Sequence, residues 1–226
     1  MKRVAFDINV TKEYERWFLT PSGMYVDDKE KECVLGAMRF KRGERVLNIG
    51  CGTGRYVEYF KALGIAAHGV EPVPELAKAA RQKSEVGAGS VTEAPYEELP
   101  FEDNSYDSAV FITTFEFASD KTRALKEALR VAKNKVGIGF LNRKSLNNFF
   151  NVKARRAIYR ESNQMTREEI TAYIKEALGE KKAEIISRYT IYLPVNMGYI
   201  APVADDLLEK TGLPFGSFGM IAVKKK

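Results

Sequence analysis

The chain has 226 residues, 45% of them hydrophobic, and a formal net charge of +6. That is enough for one substantial core, read as a single domain with extensions. No apolar run approaches a membrane span, two cysteines (Cys33 and Cys51) are too few for a disulfide framework or a cysteine-based metal site, and the start MKRVAFDINV lacks the apolar segment of a signal peptide, so a cytoplasmic chain with no membrane and no metal is expected.

In chain order, residues 1–43 read as a helical prelude. TKEYERWFL and DDKEKECVLGAMRF carry apolar residues at helix spacing, separated by the breaker TPSG, with Asp27 or Asp28 as cap of the second helix. ERVLNIG is a buried strand, GRYVEYFKALG a helix stopped by Gly64, IAAHGVE a second strand and PVPELAKAARQK a second helix. GSVTEA, YDSAVFIT and KVGIGFLN continue the strands, with the amphipathic DKTRALKEALRVA before the last of them. TREEITAYIKEAL opens with a capping box, Thr166 and Glu169. KAEIISRYTIYL and FGSFGMIAVK close the pattern as strands. Strands alternating with helices predict an α/β, Rossmann-like three-layer sandwich built on a mostly parallel sheet.

The stretch VLNIGCGTGRYVEYF places Gly50, Gly52 and Gly54 in a strand-to-helix turn, where ligands approach such sheets. Glycine admits left-handed angles and close approach, and the helix start beyond offers free amides. Glu71 ends the second strand about 20 residues beyond the start of that turn, the place of an acid that binds ribose hydroxyls. The pair points to a ribonucleoside. The third glycine falls one residue early for a dinucleotide fingerprint, and Arg55 stands where that pattern wants Gly or Ala, which argues against NAD.

At this point the sequence resembles the class I S-adenosylmethionine-dependent methyltransferases, in particular the type-11 methyltransferase-domain group. VLNIGCGTG, GVEP, YEELPFEDNSYDSAV, ALKEALRV and FGMIAVKK follow the order of that family's motifs. The resemblance implies a seven-stranded, mostly parallel sheet with an antiparallel last strand and S-adenosylmethionine as cofactor. It implies that Gly50, Gly52 and Gly54, with Cys51 as a small turn residue, wrap the methionine part. By the same resemblance Glu71 binds the ribose, Pro72 lies beside the adenine, Pro95, Tyr96 and Glu97 flank the adenine, and Thr113 and Thr114 line the floor near the sulfonium. Asn48 stands where the family usually has Asp or Glu, so one charged partner of the cofactor's ammonium group is lost. Pro95 has no amide to donate. Tyr14 and Trp17, in YERW, resemble a lid, with plain helix packing as the alternative, so residues 1–43 read as an N-terminal helical lid and residues 44–226 as the methyltransferase domain.

Methyl transfer from a sulfonium needs alignment and exclusion of water, and a base only where the acceptor must lose a proton. The candidate catalytic side chains are Glu116 and Tyr14. Glu116, in TTFEFASD, reads as a base, an amine ligand or, preferred on sequence alone, a solvated loop acid. His68 reads as a strand histidine. Residues 143–165 and 194–215 are the expected substrate-side insertions, bringing Phe149, Phe150, Tyr159, Met197 and Tyr199. A small-molecule acceptor is the leading reading. The basic stretch KARRAIYR at 153–160 keeps an RNA or protein acceptor open, although nucleic acid is disfavoured, and Asn48 with no evident base keeps a non-catalytic cofactor-binding module open. The acceptor atom and the oligomeric state are not legible.

Overall fold

The computed structural model describes residues 15–146, 164–194 and 200–226. Its elements are α1 (Pro21–Met38), β1 (Arg45–Ile49), α2 (Arg55–Ala62), β2 (Ala66–Val70), α3 (Pro74–Gln82), β3 (Val91–Thr92), β4 (Tyr106–Ile112), α4 (Lys121–Val131), β5 (Ala132–Leu141), α5 (Arg167–Leu178), β6 (Ala183–Thr190), α6 (Ile200–Thr211) and β7 (Phe218–Lys225). The seven strands form one sheet in the order β3-β2-β1-β4-β5-β7-β6. The first five in sequence pair in parallel, while β7 runs antiparallel to both β5 and β6. The predicted sheet, including its antiparallel last strand, is therefore the observed one.

The central strands are buried on both faces, as their near-continuous apolar runs require. On one face α1, α2 and α3 supply Val34, Met38, Val57, Phe60 and Ala77 to a cluster with Val46, Val110 and Met220. On the other face Leu125, Ala128, Ile170 and Ile174 of α4 and α5 pack with Leu47, Phe111 and Ile138. The spacing of these residues is the amphipathic pattern read from the sequence.

Several details differ from the sequence reading. TPSG separates the helical residues 15–18 from α1, as read, but it also begins that second helix earlier than expected. Thr20 is the N-cap of α1, its hydroxyl accepting from the Gly23 amide at 3.2 Å, with proline in the first turn. Asp27 and Asp28 thus lie inside α1 and cap nothing; Asp27 instead accepts from Lys31 at 2.9 Å and pairs with Arg55. Helix α4 stops at Val131 and β5 starts at Ala132 with no loop between them. Within the expected insertion at 194–215, α6 is a helix that the apolar spacing did not announce. Its Asp205 is fully buried and accepts from the Tyr192 amide at 2.8 Å, the Leu193 amide at 3.1 Å and the Tyr25 hydroxyl at 2.6 Å, which ties α6 to α1 and to the end of β6. Among the described residues, no helix is long and apolar enough to cross a membrane.

Candidate functional site

The turn after β1 is held by the end of β2. The Gly50 and Cys51 amides both donate to the Val70 carbonyl, at 2.7 and 2.9 Å. Gly50, Gly52 and Gly54 have φ of 76°, 56° and 84°, all in the left-handed region that disfavours a side chain. Their surroundings differ. A Cβ on Gly50 would lie 2.6 Å from the Thr114 Cβ and 2.8 Å from the Tyr96 hydroxyl, and one on Gly54 would lie 2.8 Å from Val86. A Cβ on Gly52 would meet nothing within 4 Å. Gly50 and Gly54 allow neighbouring protein to close in, whereas Gly52 borders open space. Gly54 also begins α2 without a side-chain cap, so the first-turn amides have no cap from that residue.

Glu71 follows β2 directly and is 3% exposed. Its Oε2 accepts from the Gly52 amide at 2.8 Å and its Oε1 from the Val73 amide at 3.1 Å. Burial raises its pKa above the ordinary carboxylate value, while these two amides act in the opposite direction. A carboxylate has about four lone-pair sites, so two accepted bonds leave capacity for a pair of hydroxyls.

The far wall comes from the ends of β4 and β3. The Thr114 hydroxyl donates to the Ile49 carbonyl at 2.8 Å, clipping β4 to β1 beside Gly50. Thr113 has a positive φ of 54°, and its amide donates to the Gly139 carbonyl at 2.8 Å. Tyr96 is buried with its ring edge-on to Phe111. Burial and the neighbouring Glu71 and Glu116 charges raise its pKa. Pro95 is exposed, and Glu97 Oε1 accepts from the Ser119 and Asp120 amides at 2.7 and 3.0 Å. Of the three residues expected at the adenine, Tyr96 is the one packed against the glycine turn. Pro72 is half-buried beside Glu71.

Asn48 is buried in β1, its amide nitrogen donating a long 3.4 Å bond to the Val110 carbonyl. The Cys51 thiol is buried where a Cβ on Gly69 would sit 2.5 Å from it, and burial pushes its pKa up, as expected of a small turn residue. His68 is the strand histidine expected, with Nε2 2.8 Å from the Thr92 hydroxyl and its ring against Phe101. Glu116 is not a solvated loop acid: it is 3% exposed, because its short 3-10 turn, Phe115–Phe117, folds inward after β4.

The N-terminal segment reaches the turn through residues the sequence reading did not single out. Glu15 Oε1 accepts from the Thr53 hydroxyl at 2.5 Å and from Lys83 at 2.9 Å. Burial favours protonation of Glu15, but these bonds and the Lys83 and Arg55 charges outweigh it and lower its pKa. Arg55 stacks over the Phe18 ring at 3.3 Å and pairs with Asp27. Trp17 is half-buried and tilted against Phe18. Tyr14 lies outside the described residues, as do Phe149, Phe150, Tyr159, Met197, Tyr199 and the basic stretch at 153–160.

A second unpredicted set holds the loop bearing Tyr96. Arg130 donates to the Leu99 and Phe101 carbonyls at 2.9 and 2.7 Å, and to Asp103 at 2.9 Å. Glu127 orients it from 2.8 Å and accepts from the Leu99 amide at 2.9 Å. No periodicity or spacing links these segments; they lie about thirty residues apart, and only the resemblance placed both among family motifs.

The sheet order, the glycine turn and the acid after β2 are those of the class I S-adenosylmethionine-dependent methyltransferase fold. Residues 47–138 match the family described as methyltransferase domain. A Thermotoga maritima structure, described as an S-adenosylmethionine-dependent methyltransferase and possible histamine N-methyltransferase, is 26% identical with a TM-score of 0.72, covering 96% of this chain and 97% of that one. An uncharacterized protein of Methanocaldococcus jannaschii is 29% identical over 95% of this chain and 96% of its own length. The rice 2-methyl-6-phytyl-1,4-hydroquinone methyltransferase 1 is 28% identical over 49% of this chain and 34% of its own. The reading as a non-catalytic module gives way to an enzyme, and S-adenosylmethionine is the cofactor. The residues fit it: Gly52 borders the space a ligand needs, and Glu71 is aimed at the turn with lone pairs to spare.

Proposed function

We propose that this enzyme methylates a small-molecule acceptor. The observation that carries the reading is topological. The segments following β5 and β6 leave the sheet at the same edge as the glycine turn, since these strands run alongside β4 and β1. There α6 folds back onto α1 through the buried Asp205 rather than leaving the edge open. An edge on which α6 is tied back to α1 favours a small acceptor over a polymer. The rice and Thermotoga relatives, whose descriptions name a hydroquinone and histamine, lend support.

S-adenosylmethionine supplies a methyl group already activated on a sulfonium. Gly52 and the first-turn amides of α2 hold its methionine part, Glu71 the ribose hydroxyls, and Tyr96 and Thr114 the wall beside the reacting centre. Glu15, Trp17 and Phe18 act as the lid, together with the preceding residues, and residues 143–165 and 194–215 shape the acceptor side. Closure excludes water and aligns the acceptor, which is most of what such a displacement requires. The buried free thiols of Cys33 and Cys51 fit a cytoplasmic, reducing setting.

The test is transfer of an isotope-labelled methyl group in parallel assays on small amines (histamine among them), phenols and hydroquinones, total RNA, and a protein extract. Labelled product is expected in the small-molecule fraction. Label confined to RNA or protein defeats the reading.

A further inference from the structure

Glu116 is a buried acid that cofactor binding leaves without a task. Its Oε2 has no hydrogen-bond partner among the described residues. A buried polar atom left bare costs about 1–3 kcal/mol, and such atoms in folded chains call for a specific explanation. Its position supplies one. Thr114, two residues earlier, is clipped to the end of β1 and lies against Gly50. The Tyr96 hydroxyl also faces Gly50, and the Glu116 charge acts on that phenol. Phe115 is turned into the core against Phe111 and Tyr173. Glu116 therefore belongs to the wall that Tyr96 and Thr114 build over the cradle.

We propose that Glu116 is the base of the reaction, a carboxylate beside the reacting centre that takes the proton of the acceptor atom. This deepens the proposed function and rests on it: the acceptor carries an O–H, N–H or comparable proton that leaves on methylation. The acceptor's lone pair forms the new bond to the methyl carbon. The carbon–sulfur bond breaks with its electrons staying on sulfur, and the acceptor's proton passes to Glu116. Sulfonium and carboxylate go in; neutral thioether and carboxylic acid come out.

Burial pushes the Glu116 pKa up to about 7, against its own backbone amide and the Lys121 charge of α4, which act to lower it. The other ionisable groups around this wall are Tyr96 itself and, acting on the same phenol, Glu71, Cys51 and Glu97. At neutral pH the carboxyl exchanges its proton readily, the condition for a general base.

The experiment needs no acceptor. Calorimetry at pH 7 in buffers of different ionisation enthalpy counts protons released when S-adenosylmethionine or S-adenosylhomocysteine binds. The two ligands differ by the methyl group and the positive charge on sulfur. A carboxyl beside that charge ionises further with the sulfonium ligand, by up to about half a proton for a group near half-titration. The excess release is expected in the wild type and lost in Glu116→Gln, any titration of the ligands themselves cancelling between the two proteins. An excess that survives Glu116→Gln, or none in the wild type, overturns the proposal. Should the variant not fold, carboxyl-labelled glutamate NMR decides, with the Glu30 signal, also near neutrality, removed by Glu30→Gln: the remaining glutamate titrating near neutrality must move to lower pKa with the sulfonium ligand relative to the thioether, and if it does not the proposal falls. Failure of both ligands to bind would instead count against the methyltransferase assignment.

Discussion

The Gly52 amide donates to Glu71 Oε2 at 2.8 Å, so the acid after β2 is locked to the turn after β1. The carboxylate is thereby oriented before any ligand arrives, and part of the ordering cost of binding is already met by the fold. Glu71→Ala removes both the proposed ribose partner and the acceptor of the Gly52 amide. Hydrogen bonds to charged groups contribute about 1.5–3 kcal/mol each, so affinity for S-adenosylmethionine should fall at least tenfold, read by calorimetry. Glu71→Gln should lose less, because an amide oxygen still accepts. Equal affinities for all three proteins would remove Glu71 from the site.

The glycines of the turn should separate binding from stability. Alanine at Gly52 enters open space at a left-handed φ, a backbone cost of about 1–2 kcal/mol. Its methyl would enter the space proposed for the ligand, so affinity should drop by more than tenfold while the thermal midpoint moves by a few degrees. Alanine at Gly50 collides with Thr114 and Tyr96 and should lower the midpoint much further. Paired thermal denaturation and calorimetry on the two variants check the ordering; the reverse ordering would mean that Gly50, not Gly52, borders the ligand.

How much of this was legible in the sequence depends on what each feature is made of. Hydrophobic periodicity and turn residues are local, and they were enough for the sheet and for the turn with its acid. Local rules failed where one residue type has two uses. Threonine and proline in TPSG read as a break between two helices, and they are one, yet a cap followed by proline is also how a helix starts, so α1 begins before the expected cap at Asp27 or Asp28. Helix α6 was hidden because Val203 and Leu207 face outward while the buried contact is the acid Asp205. The burial of Glu116 has no sequence signal, since a glutamate in a loop ordinarily faces water. The Glu15–Thr53–Lys83 cluster joins segments 38 and 30 residues apart, and no spacing rule encodes it.

That cluster predicts a kinetic effect. Glu15 is partly exposed, and bonds of this kind add about 0–1 kcal/mol to stability. Glu15→Ala should leave the thermal midpoint nearly unchanged. If the segment closes over the cofactor, the same change should speed cofactor dissociation several-fold, measured by stopped-flow displacement. An unchanged rate would make the segment a packing element and not a lid.

Glu30 predicts a pH dependence of stability. It is buried in α1, and burial pushes its pKa up to about 7, with the Arg55 charge acting to lower it. The folded state then holds a proton that the unfolded state has released over a range starting near pH 4.5, the ordinary value. Where the folded state binds more protons, stability falls as pH rises. The Glu30 contribution is thus fully present below about pH 4 and declines up to about pH 7, beyond which it is flat, for a total of a few kcal/mol. Glu30→Gln, which carries no ionisable proton, should show a shallower decline between pH 5 and 7 and exceed the wild type at pH 8. Urea denaturation of both proteins across that range measures the slopes. Parallel slopes would show that Glu30 ionises as freely in the folded chain as in the unfolded one.

Arg130 should affect the cofactor without touching it. It fastens the Leu99 and Phe101 carbonyls to α4, and the same loop carries Tyr96 against Gly50. Truncation to alanine leaves two carbonyls and Glu127 without their partner, a loss of about 2–4 kcal/mol by the usual cost of stranded polar groups. Lysine offers one point charge in place of a planar fork and cannot reach both carbonyls and both acids at once. Arg130→Lys should therefore recover only part of the stability. Both variants should weaken S-adenosylmethionine binding several-fold, because Tyr96 loses its fixed position. Chemical denaturation gives the first quantity and calorimetry at a temperature where both variants remain folded gives the second. Normal affinity in a destabilised Arg130→Ala protein would show that the loop holds Tyr96 in place without α4.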